Sequence, residues 1–329
     1  MRNLLGLLVV LASAGPAGAQ VEISLDARAR VFPEVGPGLR ALARDAHGNY
    51  FALVAPAPAV AVYNASGQLV KKVPSYPDGK GPAAAPLPAI AYGVGLDVDA
   101  VGRVYVADRG ANAVKVFSPE GVLVLTIPFA APTSVAALAE GEIAVASMKS
   151  ARLVSVFDAH GKVVREFGDP TEIAERSELN RFLNIGQLSS DSAGHIYYVF
   201  AYLPEPTVRK YDRYGYATLE IAATTLDFQP AAQAARREIR RLERGGTPSL
   251  KPVVTAVGVD PATEEIWVAV GGLLLHFDRE GTRRGTYRTF TPEGARLEAV
   301  AILVEPHRLL LASDPLGIYE FPRPDKKPR

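Results

Sequence analysis

The stretch Leu96–Val124, LDVDAVGRVYVADRGANAVKVFSPEGVLV, decides the fold of this chain. It contains four short apolar segments, which are separated by an Asp/Gly turn, a tight loop at Arg109–Asn112 and a second turn that Gly121 closes. Short apolar segments punctuated by Asp, Asn and Gly are typical of β-strands joined by tight turns. The stretch therefore predicts one antiparallel sheet of four strands.

The same order of segments returns five times along the chain. Aligned on the aromatic residue that ends the third segment, the six copies are separated by 54, 40, 54, 66 and 44 residues. The shortest spacings match the roughly 40–50 residues of a four-stranded propeller blade. The repeat predicts an all-β fold, a six-bladed β-propeller of four-stranded antiparallel blades, in which a bulky ring fills the wedge between neighbouring blades. The six aromatic residues are Tyr63, Phe117, Phe157, Tyr211, Phe277 and Phe321.

The sixth copy has no fourth strand of its own. After Phe321 the chain continues as a Pro-rich, charged C-terminal tail, residues 323–329, and proline cannot donate to a strand ladder. The segment around residues 21–31 alternates apolar and polar residues and has no other assignment. We therefore expect a propeller over residues 20–322, whose N-terminal closing strand, within residues 20–38, completes the sixth blade and removes an exposed sheet edge.

The pattern resembles the NHL-repeat family of six-bladed β-propellers. The resemblance covers the mature chain at the level of the repeat, and the family's run of Asp, loop residues, Asn and an apolar strand is kept at Asp108–Val114. Other copies have lost that run, for example at Ala146–Ser150 and Val270–Gly272. The resemblance implies the fold but not one function, because propellers of this type serve as scaffolds, lyases, lactonases and sensors.

Three segments are longer than the blades require. Residues 74–92 and 168–184 are predicted connections, the second with a short helical turn, and residues 223–252 are a helical insertion between the fourth and fifth blades. The helix is expected to begin at Pro230 and to end at Gly245-Gly246. We interpret it as a solvated helix docked on the propeller, with a basic lid for an anionic partner or membrane surface as the alternative. Its predicted apolar stripe is Ala231, Ala235, Ile239 and Leu242, and its opposite face carries Arg236, Arg237, Arg240, Arg241 and Arg244.

Residues 1–19 have the order of a secretory signal peptide: Arg2, an apolar run, and small residues ending in Ala17-Gly18-Ala19. Cleavage after Ala19 predicts a periplasmic or secreted protein, and no later segment approaches the length of a transmembrane helix. The 329-residue chain has 36 Lys and Arg against 35 Asp and Glu, and it has no Cys. The charge balance argues against nucleic-acid binding, and the missing Cys excludes disulfides, thiolate metal sites and Cys nucleophiles. We expect a monomer.

Patterns typical of catalysis or metal binding are not found in the sequence. The five histidines do not have the spacing of metal ligands, and no nucleophile elbow occurs. Four acids recur at equivalent turns, where a carboxylate can accept backbone N–H groups, and we interpret them as turn caps. We therefore predict no catalytic residue, no metal site and no cofactor. The four acids are Asp45, Asp99, Asp191 and Asp260.

Polar residues stand where the predicted first strands begin, and in a propeller these positions converge on one mouth of the central channel. Asp97 and Ser134 are among them, and the candidate ligand-binding residues are Arg40, Gln187, Thr255 and Glu298. Arg40 is expected to hold an anionic group through its planar fork while the amide and hydroxyl orient the ligand. Alternatively, Arg40 and Glu298 form an ion pair at the rim.

The predicted function is that of a noncatalytic binding or protein-interaction propeller of the bacterial cell envelope. Its partner is an unknown protein or small molecule at one propeller face. The alternative is a hydrolase or lyase at the channel mouth, resembling lactonase-like or amidating-lyase-like propellers.

Overall fold

The chain forms six sheets that are the blades of a β-propeller, and the four strands of each blade pair antiparallel. The computed structural model describes residues 23–55, 59–75, 90–223, 229–247 and 249–324; the expected signal peptide, most of the 74–92 connection and residues 325–329 lie outside this part. No helix in the described part is long and apolar enough to cross a membrane. The predicted fold class is confirmed.

Each blade runs from an innermost strand outward in chain order, and each innermost strand contacts that of the next blade, the sixth contacting the first. This closed ring surrounds a central channel. After β1 (Ile23–Asp26) and β2 (Ala29–Val31), the first blade is β3 (Leu39–Arg44), β4 (Tyr50–Val54), β5 (Val60–Tyr63) and β6 (Leu69–Val73); the second is β7 (Gly93–Val98), β8 (Val104–Asp108), β9 (Ala113–Phe117) and β10 (Leu123–Pro128); the third is β11 (Pro132–Ala137), β12 (Ile143–Ser147), β13 (Val154–Phe157) and β14 (Val163–Phe167). The fourth is β15 (Gly186–Ser190), β16 (Ile196–Phe200), β17 (Thr207–Tyr211) and β18 (Ala217–Ala222); the fifth is β19 (Ala256–Val259), β20 (Ile266–Val270), β21 (Leu273–Phe277) and β22 (Arg283–Phe290); the sixth has β23 (Ala301–Val304), β24 (Arg308–Ser313) and β25 (Gly317–Pro322).

Two helices interrupt the pattern of strands. The first, α1 (Ser177–Leu183), precedes the fourth blade, and the second, α2 (Gln229–Glu243), lies between the fourth and fifth blades. The helical insertion between these blades is therefore confirmed. A short 3-10 turn at Ala139–Gly141 joins β11 to β12.

The N-terminal strands close the ring in two places. Strand β2 pairs antiparallel with β25 and so supplies the outer strand of the sixth blade. Strand β1 instead pairs parallel with β22, as a fifth strand on the fifth blade. The expectation that the whole segment 21–31 belongs to the sixth blade is therefore wrong for β1. The chain crosses between the two sheets at Ala27 and Arg28, whose N–H groups donate to Phe290 O at 2.9 Å and Glu320 O at 2.7 Å.

The aromatic residues that end the third strands fill the space between blades, as predicted. All six are between 0% and 3% exposed. Phe117 of the second blade, for example, belongs to the same buried cluster as Phe51 and Val62 of the first. Because each cluster draws side chains from two neighbouring blades, the hydrophobic core is a ring of interfaces around the channel.

The four recurring acids cap the turns that follow the innermost strands. Asp45 Oδ1 accepts the N–H groups of His47 at 2.9 Å and Asn49 at 2.8 Å. Asp99 and Asp191 likewise accept N–H groups from the second and fourth residues after them. Asp260 accepts those of Ala262 and Thr263. The interpretation as turn caps is confirmed.

Arg323 lies between the fifth and sixth blades. It belongs to the segment predicted as a charged C-terminal tail, but it is only 2% exposed. Its guanidinium donates to the carboxylates of Asp260 and Glu265 and to the carbonyl oxygen of Glu305 at 3.2 Å. Its Cζ atom lies 6.0 Å from the centre of the Trp267 ring. The end of the chain therefore helps to hold two blades together.

Candidate functional site

The propeller has two chemically different faces. Because neighbouring strands of a blade are antiparallel, the starts of the innermost strands, the loops from second to third strand and the connections to the next blade share one face, here called the loop face. The remaining turns share the opposite face, the turn face, and none of them is longer than six residues. The two connections that contain α1 and α2 therefore lie on the loop face, where binding residues are expected on a rigid scaffold.

The channel mouth on the loop face brings two of the predicted site residues together. The side-chain amide of Gln187 donates to the carbonyl oxygen of Thr255 at 2.9 Å. The Thr255 hydroxyl donates to the carbonyl oxygen of Ala299 at 2.6 Å. Both side chains are half-buried, and their bonds connect the fourth, fifth and sixth blades around the mouth. The Gln187 Oε1 and Thr255 Oγ1 atoms can still accept hydrogen bonds from a ligand.

Arg40 and Glu298 are exposed, and no ion pair joins them within the part of the chain that the structure describes. They stand before the innermost strands of the first and sixth blades or at their start, and these two strands contact each other. The alternative in which the two charges only neutralise each other is therefore not observed. Arg40 likewise has no other carboxylate partner among the described residues.

Two other predicted channel residues have structural roles, and Asp97 lies near the turn-face end of β7, so the prediction that it stands where the strand begins is wrong. Asp97 accepts the N–H of Ala137 at 2.8 Å, which ties the innermost strand of the second blade to that of the third. Burial raises the pKa of Asp97 to about 6, although the N–H groups of Ala137 and Val98 act in the opposite direction. The Ser134 hydroxyl accepts the N–H of Leu188 at 2.9 Å and ties the third blade to the fourth. Both side chains stabilise the ring.

A second group of polar residues on the loop face was missed by the sequence analysis. The loop after β8 carries Arg109, whose Cζ atom lies 5.7 Å from the centre of the Tyr92 ring. The guanidinium also contacts the Met148 sulfur at 3.7 Å. Burial raises the pKa of the Tyr202 phenol above its ordinary value, and the nearby positive charge of Arg109 opposes this effect in part. The well-kept Asp-to-Asn run singles out this loop in the sequence, but it does not indicate whether the Arg109 side chain is exposed or paired.

That run has a structural explanation. The buried Asp108 carboxylate accepts the N–H groups of Ala91 at 2.9 Å and Tyr92 at 2.8 Å, which hold the residues that lead into β7. Asn112 Oδ1 accepts the N–H of Ala131 at 3.0 Å and holds the residues that lead into β11. The motif thus fixes loop-face backbone on both sides of the second blade.

The five histidines are all remote from the loop-face mouth. Four stand in turns of the turn face, and His276 is buried in β21, where its ring stacks on Trp267 at 3.9 Å. The mouth therefore lacks an imidazole general base. The turn-face histidines are His47, His160, His195 and His307.

One cluster in the described residues combines metal-ligand types: Asp191, His195 and Glu264. Asp191 accepts the hydroxyl of Tyr197 and the Nδ1 side of His195, each at 2.8 Å, besides two backbone N–H groups. The ammonium group of Lys210 is paired with Glu264. Because Asp191 is already bonded on both oxygens and Lys210 supplies a positive charge, the residues present do not fit a metal ion. The cluster fits an interblade hydrogen-bond network.

Helix α2 is docked on the loop face. Its buried residues are Ala232, Ala235, Ile239 and Leu242, so the prediction of Ala231 is wrong; spacings of three and four residues keep these four side chains on one face of the helix. Ile239 and Leu242 pack with Leu179 and Leu183 of α1. Arg236 and Arg241 are paired with Glu205 and Glu238, whereas Arg237, Arg240 and Arg244 have no carboxylate partner among the described residues. The docked helix is confirmed, and the basic-lid alternative stays a prediction.

No protein-family model matches the chain, and no curated protein matches it. Solved structures do match. A streptogramin B lyase structure is 12% identical with a TM-score of 0.55, over 88% of this chain and 85% of that one. Selenomethionine-substituted virginiamycin B lyase from Staphylococcus aureus is 14% identical with a TM-score of 0.53, over 91% and 88%. A catalytically inactive form of that lyase with quinupristin is 13% identical with a TM-score of 0.52, also over 91% and 88%. At these identities the similarity shows the propeller fold alone.

Proposed function

We propose that this protein is a noncatalytic binding propeller of the bacterial cell envelope, of the NHL-repeat type, that takes its ligand at the loop-face mouth of the channel. The observation that carries the proposal is the separation of chemistry between the two faces. The loop face has the long connections, the exposed Arg40 and the acceptors of Gln187 and Thr255, whereas the histidines lie elsewhere.

The groups at the mouth are suited to binding. A guanidinium binds a planar anion through paired N–H donors, and amide and hydroxyl oxygens accept hydrogen bonds that fix orientation. Acid–base catalysis needs a group that exchanges a proton with the substrate near the working pH. Burial raises the pKa of Asp97 to about 6, but both of its oxygens already accept backbone N–H groups.

The envelope location rests on the order of residues 1–19. Expression in a bacterial host with an export pathway, followed by N-terminal sequencing of the periplasmic fraction, tests it. A mature N-terminus at Gln20 supports export. An intact N-terminus recovered only from the cytoplasm contradicts it.

The binding site is tested by ligand-observed NMR with a library of small carboxylates, phosphates, sugars and amines. Any anionic hit is expected to bind Arg40→Ala about tenfold more weakly, because a charge-assisted pair of hydrogen bonds is lost. Arg44→Ala is the matched control, since Arg44 lies on the same strand at its turn-face end, 3.1 Å from Glu305. The free energy of unfolding of both variants should be within about 1 kcal/mol of that of the parent protein.

Three results would count against the proposal. If no compound of the library binds, the result contradicts a small-molecule binding function at this mouth. Equal affinities for the parent protein and Arg40→Ala would place the ligand elsewhere. Conversion of a hit into product during prolonged incubation would favour the alternative, a hydrolase or lyase at the channel mouth.

A further inference from the structure

Arg109 differs from most of the half-buried or buried arginines of this protein. Arg103, Arg165, Arg209, Arg308 and Arg323, which are all half-buried or buried, each have a carboxylate partner. Arg109 is half-buried as well, but it has no carboxylate partner within the described residues. Its side-chain contacts there are an aromatic ring and a thioether sulfur, so the described residues accept few of its five N–H donors.

The adjacent acid does not neutralise this charge. Asp108 is fully buried and forms an ion pair with Lys115 at 2.8 Å. Burial raises the pKa of Asp108, but Lys115 and the N–H groups of Tyr92 and Ala91 outweigh that effect and hold the pKa below its ordinary value. Asp108 and Lys115 therefore cancel each other. The neighbouring guanidinium of Arg109 keeps a net positive charge in a half-buried setting, which is costly unless an anion compensates it.

The backbone around Arg109 is held in place. Its N–H donates to the carbonyl oxygen of Tyr92 at 3.0 Å. At Gly110 a Cβ atom would stand 2.8 Å from the Tyr92 nitrogen, so only glycine permits this close approach. Together with the bonds from Asp108, these contacts fix the Arg109 loop and the Tyr92 segment relative to each other. Such preorganisation lowers the entropic cost of binding.

The surroundings of Arg109 indicate what kind of anion fits. Tyr92 is 39% exposed and immediately precedes the innermost strand of the second blade, so it lies on the loop face, where its ring faces Arg109. Met148 and Tyr202 come from the corresponding loops of the third and fourth blades and are half-buried. A flat or apolar group can pack on the ring and the thioether while its anionic end reaches the guanidinium.

We propose, building on the proposed function, that Arg109 binds the oxyanion of a small ligand, a carboxylate or phosphate, whose flat or apolar body packs on Tyr92 and Met148. The ligand class of the loop-face mouth is thus a small oxyanion with a flat or apolar body. Arg109 is its anion-binding residue, and Tyr92 is the platform that discriminates between ligands carrying the same oxyanion.

The experiment compares phenyl phosphate, benzoate, inorganic phosphate and benzyl alcohol by NMR titration of the chain from Gln20. Phenyl phosphate and benzoate are expected to bind more tightly than inorganic phosphate and benzyl alcohol, because only they carry both parts. Arg109→Gln should bind phenyl phosphate and benzoate about tenfold more weakly than the parent protein does. The affinities of Arg109→Lys should lie between those of the parent protein and Arg109→Gln, since lysine keeps the charge without the planar fork. Tyr92→Ala should reduce the preference for phenyl phosphate over inorganic phosphate.

Arg213→Gln is the matched control. Arg213 is exposed on the turn face and lies 5.6 Å from the centre of the Tyr214 ring, so it repeats the cation–π geometry without the loop-face setting. It should leave every affinity unchanged. Equal affinities for the parent protein and an Arg109→Gln variant with an unchanged melting temperature would overturn the proposal, as would failure of all four probes to bind. Hits that depend on Arg40 but not on Arg109 would overturn this inference alone and leave the proposed function standing.

Discussion

Replacing Arg323 by alanine should destabilise the propeller more than any change of an exposed arginine. The side chain is 2% exposed, and its guanidinium is bonded to two carboxylates of the fifth blade and one carbonyl of the sixth. Its loss leaves Asp260, which is 5% exposed, as a buried acid without its cation. Removing one member of a buried ion pair costs about 3–5 kcal/mol. In a chain of this size the melting temperature should fall by roughly 10 °C.

Thermal unfolding followed by circular dichroism measures the effect, and two further variants make it specific. Arg28→Ala removes an exposed arginine 3.7 Å from Glu320 and should cost less than about 1 kcal/mol. The pair Arg323→Met with Asp260→Asn removes both charges and should be more stable than Arg323→Ala alone, because the Asn oxygen can still accept the N–H groups of Ala262 and Thr263.

The difference in melting temperature between Arg323→Ala and the parent protein should also depend on pH. Burial raises the pKa of Asp260, but Arg323 and the backbone N–H groups outweigh it and leave the pKa below its ordinary value. Because the pKa of Asp260 is lower in the folded protein than in the unfolded chain, where it is about 4, its ionised form stabilises the folded protein at pH values above about 4. This stabilisation is lost as the pH falls through the pKa of Asp260 in the folded protein. The difference in melting temperature between the two proteins should therefore become smaller under acidic conditions. A melting temperature for Arg323→Ala within about 1 °C of the parent at pH 7 would refute the reasoning.

Three other expectations follow from the fold. Deleting residues 20–31 removes β1 and β2, exposes the edges of the fifth and sixth blades, and should lower the melting temperature and increase light scattering; an equally stable monomer would contradict the closure. A strong chelator should leave the melting temperature unchanged, because Lys210 and Tyr197 already bond Glu264 and Asp191; a marked fall would restore a metal to that cluster. The contribution of Asp97 to stability should be largest below about pH 4 and decline as the pH rises to about 6, since burial raises its pKa to about 6 in the folded protein; Asp97→Ala compared with the parent over pH 3.5–8 tests this sign, and a pH-independent difference would contradict it.

The elements that sequence reasoning predicts correctly are those that depend on local chemistry. The aromatic ends of the third strands and the Asp caps recur because every blade needs the same wedge filler and the same turn. The place of β1 is different, because its alternation is equally compatible with the edge of the fifth blade and with that of the sixth. Only the crossing at Ala27 and Arg28 decides between these edges, and it depends on atoms nearly 300 residues away.

The residues of the candidate site were predictable in part. Gln187 and Thr255 meet because the starts of the innermost strands share a face, which follows from the repeat alone. Arg323 and Arg109 could not be identified in this way. Whether a charged side chain is exposed, paired or left without a counterion depends on which blades surround it, and the local sequence of a charged residue does not contain that information.

The closure of the ring by β1 and β2 also has a consequence for biosynthesis. These strands are the first of the propeller to be made, yet they pair with β22 and β25, the final strands of the last two blades. While the chain is being completed, two strand edges at its beginning have no partner, and pairing across such a separation is slow to find. The time between the first and last strands is therefore the period in which misassembly between molecules competes with folding, and a factor that binds the free N-terminal strands would protect the protein only until the final blade appears.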